Sequence, residues 1–314
     1  MDAEEGHVVL AAEPWPALDW ADWKETCATL HLWTQIVGKV LLAKRPFLNE
    51  WWQVALQLGP RGLTTNAVPS GNISFGMDFD FVDHQLVIAT SRGDRRSVAL
   101  RPRTVADFHR EVMASLRDLG VDTRFSTLPV ELPNPIPFER DTVHASYDPG
   151  PVRRWYTILL QTAAILERWR TPFVGKSSPV HFFWGSFDLN AARYSGRPAP
   201  PMEGPCFVRL AEDQENFACG FWPGNPSASG VTLGEPAFYA YMYPSPPGFE
   251  TAQLRPEGAR FNRELSQHIL PYERVRRSDN PAEAIYAFFQ SAWETSANLA
   301  GWDRAALERP PICR

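Results

Sequence analysis

The stretch Phe173 to Arg197, FVGKSSPVHFFWGSFDLNAARYSGR, holds the densest set of residues able to do chemistry. His181 is the candidate general acid or base, because imidazole is the side chain that ordinarily titrates near neutrality. Read as one strand from His181 to Arg193, alternate residues share a face. His181 then goes with Phe183 and Gly185, and Phe182 goes with Trp184 and Ser186. Unbroken alternation puts Asp188 with the second group, unless Gly185 marks a bulge. The competing reading of His181 is a core-edge histidine bonded to backbone. A second imidazole, His144, lies four residues before Asp148, close enough for the two to meet across a turn. His181, His144 and Asp148 are thus the candidate catalytic residues.

Lys39 and Lys176 each follow a Val-Gly pair, and Arg61 and Arg197 each lie beside a glycine. If the two halves of the chain pair with each other, these four cations converge. Cations gathered in a partly buried place imply an anion, since unpaired buried charge is costly, and arginine would hold a carboxylate or phosphate bidentately. Trp184 and Arg193 join them as candidate ligand contacts. The alternative is that each lysine sits at a helix C-terminus, favoured by the dipole and solvated.

Other chemistries are weakly supported. His84, His144, Asp148 and His181 contain metal-ligand types, but no spacing singles out a site. Cys27, Cys206, Cys219 and Cys313 form no C-x-x-C pair, and four cysteines in 314 residues are not a secreted disulfide scaffold. The phosphate loop, the dinucleotide G-x-G-x-x-G, H-E-x-x-H and G-x-S-x-G are all absent, so no cofactor is expected. Among the twelve tryptophans, Trp51, Trp52, Trp184 and Trp222 are candidates to line an apolar pocket. Tyr239, Tyr241 and Tyr243 fall on one face of a strand, either under a stacked ligand or as a packed sheet face with wet hydroxyls.

These residues need elements to carry them. Apolar steps of three and four predict a helix from Leu18 to Val37, capped by Asp19 and stopped at Gly38. Alternation predicts strands at Trp52–Leu58, Phe75–Phe81, His84–Thr90 and Arg96–Leu100, with a hairpin turn at Ser91–Asp94. Asp78 and Asp80 oppose the phenylalanines, as in a half-buried antiparallel sheet. A helix over Thr104–Leu119 stops at Gly120. After the prolines of Leu128–Pro151 come a helix over Val152–Arg170, strands at His181–Arg193 and Ala237–Tyr243, and a helix over Pro281–Leu299.

The order helix, sheet, helix thus occurs twice, and short strings recur with it: Val37-Gly38-Lys39 with Val174-Gly175-Lys176, and Leu119-Gly120-Val121-Asp122 with Ala300-Gly301-Trp302-Asp303. The expected fold is α+β, two diverged repeats packed with pseudo-twofold symmetry. A flexible segment at 1–14 precedes the first repeat at 15–127. A connector at 128–151 leads to the second repeat at 152–303, with an insertion at 198–236, and 304–314 form a tail. Pockets often lie where such halves meet.

The formal charge of −5 and the acids around Arg92, Arg95, Arg96 and Arg274, Arg276, Arg277 argue against a nucleic-acid partner. The first twelve residues carry three acids and no basic region, unlike a signal peptide, and no window is apolar enough to span a bilayer. A cytoplasmic location with no membrane partner is expected.

At HLWTQIVGK (His31 to Lys39), RGLTT (Arg61 to Thr65), FDFVDH (Phe79 to His84), GKSSPVHFFWGSFDL (Gly175 to Leu189), FYAYMYPSPPGF (Phe238 to Phe249) and LPYE (Leu270 to Glu273), the chain resembles a bacterial family known only as a domain of unknown function. The resemblance runs from about Trp15 to Trp302. It implies that the two repeats fold together, and it carries no activity, cofactor or catalytic residue.

The expectation from sequence is a cytoplasmic small-molecule enzyme with a pocket between the repeats. His181 works there as acid or base, and an anionic ligand is held by Lys39, Arg61, Lys176, Arg193 and Arg197. The alternative is a non-catalytic ligand-binding or protein-interaction module with an aromatic groove.

Overall fold

Helix α1 (Trp20–Lys44) begins where the Asp19 carboxylate accepts the Ala21 N–H at 2.8 Å, a cap worth about 1 kcal/mol. It does not stop at Gly38. Every residue from Thr29 to Leu41 is buried, so α1 runs through the middle of the protein rather than along its surface. A Cβ added at Gly38 would fall within the Trp184 indole, well under 3.0 Å from its atoms. The glycine is there for close approach of an aromatic ring, not for a left-handed cap. The computed structural model describes residues 13–204, 206–226 and 230–310. Residues 1–12 of the expected N-terminal segment, Pro205, 227–229 and 311–314, with Cys313, lie outside the described residues.

The first sheet is antiparallel, ordered β1 (Gln57–Leu58), β2 (Leu63–Thr64), β4 (Ile73–Asp80), β5 (Gln85–Thr90) and β6 (Arg95–Ala99), with β3 (Val68–Ser70) also paired to β4. On β4, Phe75, Met77 and Phe79 are buried while Asp78 is exposed, the alternation expected of a sheet with one packed face. The expected strand at Trp52–Leu58 is mostly absent. A 3₁₀ turn over Asn49–Trp51, with positive φ at Glu50 and Trp51, leads into it, and its first residues, Trp52 to Val54, continue as turn. Only Leu56 to Leu58 pair, Leu56 exchanging two hydrogen bonds with Phe182 across to the second sheet. Helix α2 (Val105–Asp118) starts at its Thr104 cap and ends at Gly120, φ 77°.

Residues 128–148 form no strand and one short 3₁₀ turn, but they are not a free linker: Phe138 is fully buried and Val130 packs on the core. Helix α3 (Pro149–Arg170) is capped by Asp148. The expected strand from His181 to Arg193 is split. β7 (His181–Phe183) turns at Trp184–Phe187, where Phe187 has φ 64°, and pairs back on β8 (Asp188–Pro198) with Phe183 opposite Asp188 and His181 opposite Asn190.

The chain continues through α4 (Cys206–Ala211), β9 (Gln214–Trp222), β10 (Ala237–Tyr243), β11 (Arg260–Asn262), β12 (Gln267–Pro271), α5 (Tyr272–Arg276), α6 (Pro281–Leu299) and α7 (Arg304–Leu307). The second sheet is antiparallel, ordered β11-β12-β10-β9-β8-β7. Thus β9, from the stretch expected to be an insertion, is a central strand. Its residues Phe217 to Trp222 are all buried, so it reads as a continuous apolar run rather than an alternation.

The architecture is α+β, with two antiparallel sheets joined edge to edge through Leu56 and Phe182. Helices α1, α3 and α6 share one core that spans both halves: Trp155 of α3 touches Trp23, Phe81, Phe182 and Phe187. The strings that recur in sequence behave differently. Gly120 and Gly301 close α2 and α6 in the same way, each at positive φ, with Val121 N–H bonded to Leu116 O (2.8 Å) and Trp302 N–H to Ala297 O (2.9 Å). That cap calls for a glycine followed by a buried apolar residue. Gly38 lies inside a helix, whereas Gly175 lies in a bend beyond the end of α3. Among the described residues no helix is long and apolar enough to cross a membrane.

Candidate functional site

The second sheet has two different faces. Leu189, Ala191 and Arg193 of β8, Phe217, Cys219 and Phe221 of β9, and Phe238, Ala240 and Met242 of β10 belong to one face, against α3 and α6, with Phe217 on Trp169 and Trp293 and Phe238 on Phe289. The alternate residues form the other face: Asp188, Asn190, Ala192, Tyr194; Asn216, Ala218, Gly220, Trp222; Tyr239, Tyr241. This face floors a cavity of about 670 Å³, within the usual size range of small-molecule sites. The walls are the end of α1, the Asn49–Trp51 turn with Trp52, the Val130–Glu131 segment, α4, and the turn at Glu264 and Leu265. Trp51 Nε1 donates to Phe207 O at 2.7 Å and ties two of these walls together.

The floor lies open because two of its residues are small. A Cβ at Gly220 would strike the Leu189 carbonyl and the Tyr239 hydroxyl. With no Cβ there, the Tyr239 ring reaches from β10 across β9 to β8. Its hydroxyl donates to Asp188 and accepts from Asn190 Nδ2 at 2.8 Å. Asp188 also accepts from the Ser186 hydroxyl. Tyr241, on Ala218, donates to Glu212 Oε1 at 3.3 Å, and Asn216 Nδ2 donates to Glu212 Oε2 at 2.6 Å.

Glu131 comes from the opposite wall. Its backbone is left-handed, φ 54°, and its carboxylate occupies the space where a Cβ at Gly185 would be. Buried Gln35 of α1 clamps the preceding residue, accepting the Val130 N–H at 2.9 Å and donating to the Val130 carbonyl at 2.8 Å. His31, one turn earlier on α1, donates from Nε2 to Gly185 O at 2.9 Å and stacks on Phe187. Burial pushes the His31 pKa down to about 4 and keeps it neutral. One helix thus holds both sides of the Glu131–Gly185 contact.

The electrostatics have one sign. Glu50, Glu131, Asp188, Glu212 and Glu264 line the cavity, and no lysine, arginine or histidine does so among the described residues. Burial, then the neighbouring Asp188, pushes Glu131 up to about 7. Burial also pushes Glu212 up to about 7 against its hydrogen bonds from Asn216 and Tyr241, and raises Asp188 against those from Ser186 and Tyr239. Glu50 is the exception in having a cation: Lys176 Nζ lies 2.6 Å from Oε1, 3.1 Å from Gln214 Oε1, and 4.4 and 5.4 Å from the Tyr194 and Trp52 rings. Glu50 Oε2 is buried without a partner in the cavity wall, as is Trp222 Nε1. Such a set of groups suits a ligand that brings hydrogen-bond donors and positive charge, and it opposes an anion.

Residues 15–309 match a family described as a family of unknown function, DUF5996. The chain belongs to that family. No curated protein and no solved structure matches it.

In this DUF5996 chain the residues singled out from sequence are dispersed. His181 is buried, outside the cavity lining, with neither ring nitrogen partnered and its pKa pushed down to about 3 by burial and by Arg170. His144 pairs with Asp141 at 2.7 Å and not with Asp148, which caps α3 and receives no imidazole. Lys39 is buried in α1 with its pKa lowered by burial. Arg61 pairs with Asp80 and Asp83 at the surface, and Arg197 with Glu215 and the Ala300 carbonyl. Arg193 points to the helical face, stacked 3.6 Å from Trp169 and donating to its carbonyl. The four cations therefore do not converge. His84 meets Tyr147 and Arg153, and no three metal-ligating side chains come together among the described residues. Cys206 is exposed, whereas Cys219 is buried on the far face of the sheet.

Trp51, Trp52, Trp184 and Trp222 all line the cavity, and so do Tyr239 and Tyr241. Trp184 is fixed there by Nε1 donating to Val54 O at 2.8 Å. Asp188 joins Phe183 because the turn at Trp184–Phe187 resets the alternation. Glu131 and Glu212 had no local signal: one is an acid among the prolines of 128–151, the other an acid at the end of a short helix.

Proposed function

We propose that the cavity on the second sheet is a small-molecule site and that its ligand carries a positively charged nitrogen. The carrying observation is a lining of five carboxylates and several aromatic rings with no basic side chain among the described residues. The seat of Lys176 supports the reading, because the same wall already holds an ammonium between a carboxylate, an amide oxygen and two rings. If the protein is an enzyme, Glu131 is the group placed for acid–base work, since burial and the neighbouring Asp188 push it up to about 7, with Asp188, itself raised by burial, beside it. His181 has no such access. A non-catalytic binding protein would use the same cavity, and the four tryptophans of its lining favour that second reading.

The test is thermal unfolding of the full chain with matched organic amines and carboxylates at fixed ionic strength. Amines are expected to raise Tm and carboxylates to leave it unchanged. Stabilisation by the carboxylates alone would overturn the proposal. A common duplicated origin of the halves is likewise a proposal, resting on the like closures of α2 and α6 at Gly120 and Gly301, and so is a cytoplasmic location.

A further inference from the structure

The carboxylates on the floor of the cavity are not scattered; they come in a repeated arrangement. Tyr239 and Tyr241 are alternate residues of β10, and their rings lie 6.3 Å apart between centroids, 19° from parallel. Each phenol lies across a residue too small to lift it off the sheet, Tyr239 on Gly220 and Tyr241 on Ala218. Each donates its hydroxyl to one carboxylate, Tyr239 to Asp188 and Tyr241 to Glu212. The two phenols that hold these acids are therefore one strand repeat apart, roughly 6.6 Å along β10.

Both carboxylates are held by neutral donors only, Asp188 by Ser186 and Tyr239, Glu212 by Asn216 and Tyr241. Neutral donors orient a buried carboxylate without supplying an opposite charge, so burial raises both acids and each takes either a proton or a cation. At the neighbouring acid, Glu50, the protein supplies the missing charge itself through Lys176. Even there Oε2 is left buried and unpartnered in the cavity wall. A metal ion does not fit, because no three ligating groups come together among the described residues.

We propose that the ligand is an organic dication, a diamine or longer polyamine, with one ammonium on Asp188–Tyr239 and the next on Glu212–Tyr241. This rests on the reading that the cavity takes a cation. The methylene chain between the ammonium groups lies along the Tyr239 and Tyr241 rings, which carry it as an apolar track.

The test is isothermal titration calorimetry of the full chain with butylamine, putrescine and spermidine, repeated on Tyr241→Phe and Glu212→Gln. The diamine and triamine are expected to bind about tenfold or more tighter than butylamine, the effect of one added ion pair of ordinary strength. Glu212→Gln, which deletes the second charge, should reduce putrescine to the level at which butylamine binds the native chain, and Tyr241→Phe, which only frees the Glu212 carboxylate, should weaken putrescine less. Equal affinity for butylamine and putrescine would overturn the two-site inference and leave the cationic reading standing. Binding of none of the amines would overturn both. Circular dichroism of the variants identifies one that has failed to fold, and the comparison of amines on the native chain then decides alone.

Discussion

Replacing Gly38 by alanine sets two opposed physical effects against each other in one residue. In an ordinary helix interior, alanine is better than glycine by up to about 1 kcal/mol, because glycine loses more backbone freedom on folding. Here the new methyl would lie within the Trp184 indole, whose Nε1 donates to Val54 O and whose ring walls the cavity. The helix cannot move, since α1 is buried on all sides along this stretch. The ring must go instead, giving up its hydrogen bond, worth about 1 kcal/mol, and much of its buried contact. Overpacking in a close-packed core costs roughly 1–3 kcal/mol, and the displaced indole adds to this. The steric cost wins, and Gly38→Ala is expected to destabilise the protein by about 2 kcal/mol net, lowering Tm by several degrees. Urea unfolding should show a lower midpoint at unchanged slope. In a Trp184→Ala background the same change should be neutral or stabilising by up to about 1 kcal/mol, as in any helix. A native-background variant as stable as the parent would refute the reasoning, because it would mean that the indole is not pinned against the helix.

Gln35→Leu keeps the size of the side chain but strips the Val130 N–H and carbonyl of their partners. It is expected to cost about 2 kcal/mol in urea unfolding and to weaken amine binding through the displaced Glu131. His181→Phe removes two buried, unpartnered nitrogens, so stability should hold or rise and amine binding should be unchanged in calorimetry. Because burial lowers the folded pKa of His181 to about 3 against an ordinary 6.5, the unfolded chain takes the proton first, and stability falls as pH drops below about 6.5. The His181→Phe variant should lose less stability than the parent over that range. Glu131 has the opposite sign. With its folded pKa raised to about 7 from 4.5, its contribution is intact below 4.5 and is lost as pH rises toward 7. Glu131→Gln should therefore gain stability relative to the parent above neutrality, by at most about 3 kcal/mol, and show no gain in acid. A gain that was the same at every pH would show that Glu131 ionises normally.

The elements legible in the sequence are those whose signals are local. Asp19, Thr104 and the Gly120 and Gly301 closures mark helix ends through hydrogen bonds between residues a few positions apart. The alternation of Phe75, Met77 and Phe79 with Asp78 marks a strand with one packed face, whatever lies beyond it. The twelve tryptophans and the tyrosine run at Tyr239–Tyr243 likewise announce a large aromatic interior and an aromatic strand face. Tertiary structure alone decided the rest. Gly38 reads as a helix stop until a ring from residue 184 is placed against it. Asp188 changes face because the turn at Trp184–Phe187 resets the alternation, and β9 lies hidden among prolines and glycines because a central strand needs no alternation. The sign of the site was the least legible feature. Lys39, Arg61, Lys176, Arg193 and Arg197 are conspicuous as a set in sequence, yet Arg61, Lys176 and Arg197 find acidic partners, and Lys39 and Arg193 are buried away from the cavity. The carboxylates at positions 50, 131, 188 and 212 line one cavity only because a 3₁₀ turn, a proline-rich segment, the start of β8 and the end of α4 fold together. Charge belongs to a residue, but the electrostatic sign of a cavity belongs to whichever residues packing leaves without an opposite partner.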